Sequence, residues 1–189
     1  MNRIVLSIMM SLGLAHAAFA QSSPDPAAKF TKGPIFESYG ENAPVPGMSD
    51  LPTDTVYKLS FDIAKPAEAG AINRAINSPA RFVNMHARAG VPVDNISVAL
   101  VIHGKAAFDV THDAFYNTAR GVNPEGLDNA TAPLVTALIR DGHRVILCGQ
   151  SAQYHGISKA DLIDGVELSL SAMTAHVLLQ QDGYAINPF

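Results

Sequence analysis

The chain has 189 residues, 48% of them hydrophobic, with 13 Lys and Arg against 17 Asp and Glu for a formal net charge of −4. That length supports one domain with a full hydrophobic core, and the acidic, Trp-free composition excludes the basic, aromatic-rich surface that nucleic acid requires. A single cysteine excludes any intramolecular disulfide.

The N-terminus carries Arg3, an apolar stretch from Ile4 to Leu14, and Ala18-Phe19-Ala20 ahead of Gln21. A positive start, a short apolar core and a small-x-small site are the layout of a secretory signal peptide, here residues 1–20. The apolar run is too short to span a bilayer. Cleavage near Ala20 predicts a periplasmic or secreted protein with no membrane span in its mature form. Residues 21–55 then hold Pro24, Pro26, Pro34, Pro44, Pro46 and Pro52 with Gly33, Gly40 and Gly47. So much punctuation leaves no room for a regular element. The segment reads as an extended arm that either wraps the domain or is partly disordered.

From residue 56 to 189 the pattern becomes regular. Val56 to Ile63 alternates as a half-buried strand does. Ile72, Ile76, Ala80, Val83 and Ala87 keep helical spacing up to Gly90, with Pro79 predicting a kink or a split and Ser78 a candidate cap for the second piece. Ser97 to Ile102 is a continuous apolar run, the mark of a strand buried on both faces. Lys105 to Gly121 reads as a short helix and a loop. Leu134, Val135, Leu138 and Ile139 form the stripe of a helix from about Pro133 to Gly142. Val145 to Leu147 is the next buried strand, with Cys148 at its carboxyl end and a loop of Gly and small polar residues after it. Ser158 and Asp161 have capping-box spacing for a short helix closed by Gly165. Val166 to Leu170 reads as a strand, and Ala172 to Gln181 as a last helix ending at Gly183. Strands alternating with helices predict a three-layer α/β/α sandwich on a mostly parallel sheet of about four to five strands.

In such a sheet, ligands collect beyond the carboxyl ends of the strands. "VIHGK" places His103, Gly104 and Lys105 past one buried strand, and "LCGQS" places Cys148, Gly149, Gln150 and Ser151 past another. Successive N–H groups in a Gly-containing turn form an anion-binding nest that favours thiolate over thiol, and a nearby lysine or protonated histidine adds to this. Cys148 is therefore a candidate nucleophile, with His103, Lys105, Gln150 and Ser151 as candidate ligand-binding neighbours. The alternative is a small hydrophobe that finishes a strand. His86, His143, His155 and His176 have structural readings. No C-x-x-C, H-x-x-x-H or H-E-x-x-H spacing marks a closed zinc site, so no cofactor or resident metal is predicted. A Cys-His site for Cu(I) stays open. No G-x-S-x-G elbow surrounds Ser151, and phosphate-loop signatures are missing.

The stretches "VALVIHGKA", "NPEGLDNATAPLVTALIRDGHRVILCGQS", the following "HGIS" and the closing "LLQQDGYAINPF" resemble the DsrE/DsrF-like family from about Thr55 to Phe189. The resemblance implies the three-layer fold and assembly into homo- or hetero-oligomers. It also implies a cysteine after this strand that takes sulfur as a persulfide and hands it to a partner thiol, a role that falls on Cys148. Two features depart from the sulfur-relay members: the export signal with its arm, and His155-Gly156 where those members carry Arg-Gly. The expected function is thus a periplasmic protein carrying or relaying sulfur, as a homo-oligomer with a thiol-bearing donor or acceptor. The alternative class is a non-catalytic oligomeric binding protein for a small ligand or Cu(I), with Cys148 structural or ligating. A redox-sensing thiol is a third.

Overall fold

The computed structural model describes residues 29–119, 121 and 126–187. The expected signal peptide and its cleavage site lie outside the described residues. The strand Ile96–Ile102, β2, shows how the layers arise. Val98, Leu100 and Ile102 point to one side of the sheet and Ala99 and Val101 to the other, and every one is fully buried. A strand covered on both faces needs apolar residues in both phases. Around it lie β1 (Tyr57–Ile63), β3 (Arg144–Cys148), β4 (Glu167–Ser169) and β5 (Ala185–Asn187). The sheet runs β4-β3-β2-β1-β5, and all four pairings are parallel.

The chain steps from β1 to β4 in one direction across the sheet. Right-handed crossovers therefore send their helices to one face: α1 (Arg74–Arg88), α2 (Asp113–Ala119), α3 (Ala132–Arg140) and α4 (Gly149–His155). Their apolar stripes, Ile76, Ala80 and Val83 from α1 and Leu134, Val135 and Leu138 from α3, fill the larger core. Only the return from β4 to β5 reverses direction. It places α5 (Ala172–Gln181) alone on the opposite face, over Ala99, Val101 and Ile146. The result is a three-layer α/β/α sandwich with one thin layer.

Several local expectations need correction. Pro79 neither splits nor ends α1, which is one 15-residue helix. Its cap is Asn73, whose Oδ1 accepts from the N–H of Ala75 at 2.9 Å, while Ser78 Oγ donates to the Arg74 carbonyl instead of capping. Pro79 itself is buried beside Ala80, so packing offsets the lost backbone bond. Ser158 and Asp161 do form a capping box, but what they cap is the single 3-10 turn Lys159–Asp161. The segment after Cys148, expected as a loop, is α4. Gly156, at φ 69°, closes it as a left-handed cap. The strand β5 had no counterpart in the sequence reading.

Residues 29–55 lie along α1, held by polar side chains of that helix. Asn84, fully buried, accepts through Oδ1 from the N–H of Ile35 (3.0 Å) and Phe36 (2.9 Å) and donates through Nδ2 to the carbonyls of Phe36, Tyr39 and Gly40. Arg88 donates to Asn42 Oδ1 at 2.6 Å and to the Gly33 carbonyl at 3.0 Å. A segment too rich in Pro and Gly to pair its own backbone is thus satisfied by side chains. Among the described residues no helix is long and apolar enough to cross a membrane.

Candidate functional site

Register alone brings the two candidate turns together. Ile102 on β2 pairs with Leu147 on β3, so His103 and Cys148 are the next residues along adjacent parallel strands, about 4.8 Å apart. His103 keeps an extended backbone, and its N–H still donates to the Ile63 carbonyl of β1 at 2.9 Å. Strand alternation therefore continues through both residues. Val101 and Ile146, two positions back, pair with each other and face α5. The side chains of His103 and Cys148 take that same face.

The sulfur of Cys148 lies where two helices begin. Cys148 is the N-cap of α4, and its thiol also meets the start of α5. Burial pushes the thiol pKa up. The backbone N–H and the hydroxyl of Ser151, then the N–H groups of Ala172 and Gln150, outweigh that and hold it below the usual thiol range. Ser151 ties the two turns into one site, because its Oγ also accepts the Gly104 N–H at 3.0 Å. Cys148 is only 6% exposed, so its thiol is covered in the single chain.

The other predicted residues are placed unevenly. Gln150 contributes its backbone N–H to the sulfur, whereas its side-chain amide donates to the Leu170 carbonyl at 3.1 Å. Lys105 is the second residue of the 3-10 stretch Gly104–Val110, is exposed, and makes no ion pair among the described residues. The His103 ring turns to Asp62, with Nε2 3.1 Å from Oδ2.

That contact introduces two residues the sequence did not single out for the site. Asp62, on β1, pairs with Val101 and so shares the α5 face. Its second oxygen, Oδ1, receives His176 Nε2 from α5 at 2.9 Å. Burial pushes the Asp62 carboxyl up, but the hydrogen bonds from His176 and His103 and their charge hold it below the usual carboxylate range. Nothing in the sequence marked the pair: Asp62 shares the polar phase of its strand with Lys58 and Ser60, and 114 positions separate it from His176.

Three further histidines belong to packing. His86 bonds the Phe82 carbonyl at 2.8 Å and lies against Tyr57 and Phe82; His155 stacks on Phe108 at 4.7 Å. His143 is buried against Phe36. Among the described residues no group of three or more His, Cys, Asp or Glu is arranged to hold a metal ion. A cavity of about 400 Å³ between residues 43–51 and α1 lies far from the thiol in the fold. Another, of about 350 Å³, opens between β4 and α5, bordered by Ile146, Ser169, Leu170 and Ala175. Ser169 pairs with Cys148, so this second groove adjoins the site.

The DsrE/DsrF-like family model matches residues 58–188. Among solved structures the chain is similar to MTH1491, a protein of unknown function from Methanobacterium thermoautotrophicum, at 19% identity and TM-score 0.49 over 69% of this chain and 97% of that one. It is also similar to the YchN protein of E. coli, at 20% identity and TM-score 0.45 over 68% of this chain and 96% of that one. No curated protein matches the chain.

Proposed function

Since this chain belongs to the DsrE/DsrF-like family, we propose that it carries sulfur, with Cys148 accepting it as a persulfide and yielding it to a partner thiol. The observation that carries this reading is the place of the one thiol at the starts of α4 and α5, where the neighbouring N–H groups and the Ser151 hydroxyl hold its pKa below the usual thiol range. Such donors stabilise an anion, and the thiolate is the species that attacks a sulfane sulfur. They are equally suited to the perthiolate that forms, since it too is an anion. The chemistry is exchange: an S–S bond to Cys148 forms as the donor's S–S bond breaks, and the donor leaves as a thiol.

The proposed protein is exported, starting at Gln21, and homo-oligomeric. Supporting assembly, Leu168, Leu170, Met173, Val177 and Leu178 are all exposed on β4, α5 and the turn between them. A helix that is apolar on its outer as well as its inner face normally has something covering it. Light scattering on the mature chain tests the assembly, and N-terminal mass analysis after expression in a Gram-negative host tests the export.

The 6% exposure of Cys148 favours a second reading, in which the thiol is structural and the protein is a non-catalytic binding protein. One experiment separates the two. Intact mass after incubation with inorganic polysulfide should show additions in steps of one sulfur, removed by reductant and absent from Cys148→Ser. A thiol that takes no sulfur and is alkylated only on unfolding refutes the carrier reading.

A further inference from the structure

Asp62, His103 and His176 come from three separate elements and meet at the carboxyl edge of the sheet on the face that carries Cys148. A carboxylate only accepts hydrogen bonds, so each ring must present an Nε2–H to it. The tautomers are thereby fixed, and each ring keeps its Nδ1 for something else. For His176 that nitrogen is buried and has no hydrogen-bond partner. A hydrogen on that nitrogen would find no acceptor, and the nitrogen is closed off from any reacting group. The His103 ring is 30% exposed, and its Nδ1 is bonded to no group among the described residues. Of the two free ring nitrogens, His103 Nδ1 is therefore the one open to a reacting group. His103 is also the member next to Cys148, because the strand order sets β2 between β1 and β3.

We propose that this cluster is the proton donor for sulfur exchange at Cys148. His103 Nδ1 protonates the thiolate that leaves the sulfur donor, and Asp62 and His176 are positioning residues that fix its ring and tautomer. The proposal rests on the sulfur-carrying reading. The donor is a persulfide, RS–SH. The Cys148 thiolate attacks its terminal sulfur, the S–S bond breaks, and the departing RS⁻ takes the proton from His103. The new Cys148–S–SH then returns its own proton to His103 and remains as the perthiolate. The sum is Cys148–S⁻ plus RS–SH giving Cys148–S–S⁻ plus RSH, with no oxidant consumed. Run backward, the same nitrogen deprotonates an incoming acceptor thiol. The titratable groups facing His103 are Asp62 from β1, His176 from α5 and Cys148 from β3, while Lys105 on the following turn is exposed. The lowered pKa of the Asp62 carboxyl agrees with a carboxylate that keeps its charge between two imidazoles.

The test follows sulfur loading of Cys148 from glutathione persulfide by intact mass, as a rate against pH, beside alkylation by iodoacetamide. Alkylation expels iodide, which needs no proton, so it isolates the thiolate from the acid. His103→Gln should slow loading by about 10- to 100-fold, at or below the low end for a positioned acid. It should also erase the pH-dependent limb and leave the alkylation rate per thiolate unchanged. Long-range nitrogen–proton NMR of the wild-type rings supplies a readout that needs no variant. Both His103 and His176 should show the Nε2–H tautomer when neutral, with Nδ1 bare. Asp62→Asn offers one acceptor and one donor, so one ring should switch tautomer. Wild-type loading by His103→Gln, or an Nδ1–H tautomer on either neutral ring, overturns the cluster's role. A wild-type chain that takes up no sulfur overturns the carrier reading, and the transfer step with it.

Discussion

Replacing Gly149 with Ala measures how tightly the surroundings of the thiol are built. Gly149 opens α4 directly after Cys148, and its φ lies outside the left-handed region, so the backbone would accept any residue. Helix propensity alone predicts a gain of up to about 1 kcal/mol. Packing predicts the opposite. A Cβ built there meets the Ser169 carbonyl oxygen at 2.6 Å and the Leu170 carbonyl oxygen at 3.3 Å. Ordinary contact begins near 3.4 Å, so α4 and β4 must separate by 0.8 Å. The obstacle is the backbone of the strand residue paired with Cys148, which cannot rotate away as a side-chain tip would. Overpacking of this kind costs about 1–3 kcal/mol, which less a propensity gain of about 1 kcal/mol leaves a loss of about 0–2 kcal/mol. For a domain of this size the melting temperature should fall by up to roughly 8 °C. The shift also carries the Gln150 and Ser151 N–H groups away from the sulfur, so the thiol pKa should rise. Scanning calorimetry reads the first effect and the pH profile of alkylation the second. A variant as stable as the wild type with an unchanged profile would refute the close approach, and with it the account of how the thiol is held.

Ser151→Ala removes the hydroxyl that serves both Cys148 and the Gly104 N–H, yet leaves the backbone donors of Ser151, Ala172 and Gln150 in place. The thiol pKa should rise without returning to its ordinary value; a full return in the alkylation profile would mean that the backbone donors contribute nothing. His143 makes stability depend on pH: burial pushes its pKa below 6.5 against the opposing charge and hydrogen bond of Asp141. The unfolded chain therefore binds a proton before the folded one does, and the wild type should lose stability, relative to His143→Gln, as pH falls below about 6.5. Urea midpoints measured down to pH 5 decide it, and parallel profiles for the two proteins would show that the buried imidazole does not titrate between them.

Most of the sandwich could be read from apolar periodicity because periodicity records which faces are covered. The run Ser97 to Ile102 announced a strand buried on both sides, and Ile76, Ala80 and Val83 drew the inner stripe of α1 through an interior proline. The helix from Ala172 to Gln181 matched its expected ends, since Ser171 caps it through the Thr174 N–H and Gly183 follows with φ 87°. Where burial is small, the pattern carried less. Helix α4 buries only Ala152 and starts on a glycine, so it offered no stripe and its polar residues read as a loop. The three residues of β5 are mostly exposed, and they pair with β1 from 126 positions away at the first register pair, Leu59 with Ala185.

The site divides along the same physical line. Cys148 and His103 could be placed together because each follows a buried strand, and strand ends are marked by where an apolar run stops. What gives the cysteine its character is backbone: the N–H groups of residues 150, 151 and 172. A backbone donor is present at every non-proline residue, so residue identity says nothing about where it points. That direction is set by the helix starts, which depend in turn on how closely Gly149 lets α4 approach β4 and on the return of α5 across the opposite face. Side chains obey a different rule. Asp62 stood in the polar phase of β1 beside Lys58 and Ser60, where a charge reads as solvent-facing, and its partner His176 was hidden by distance. The thiol's chemistry is therefore more exposed to substitutions that shift a helix than to the loss of any one polar side chain around it.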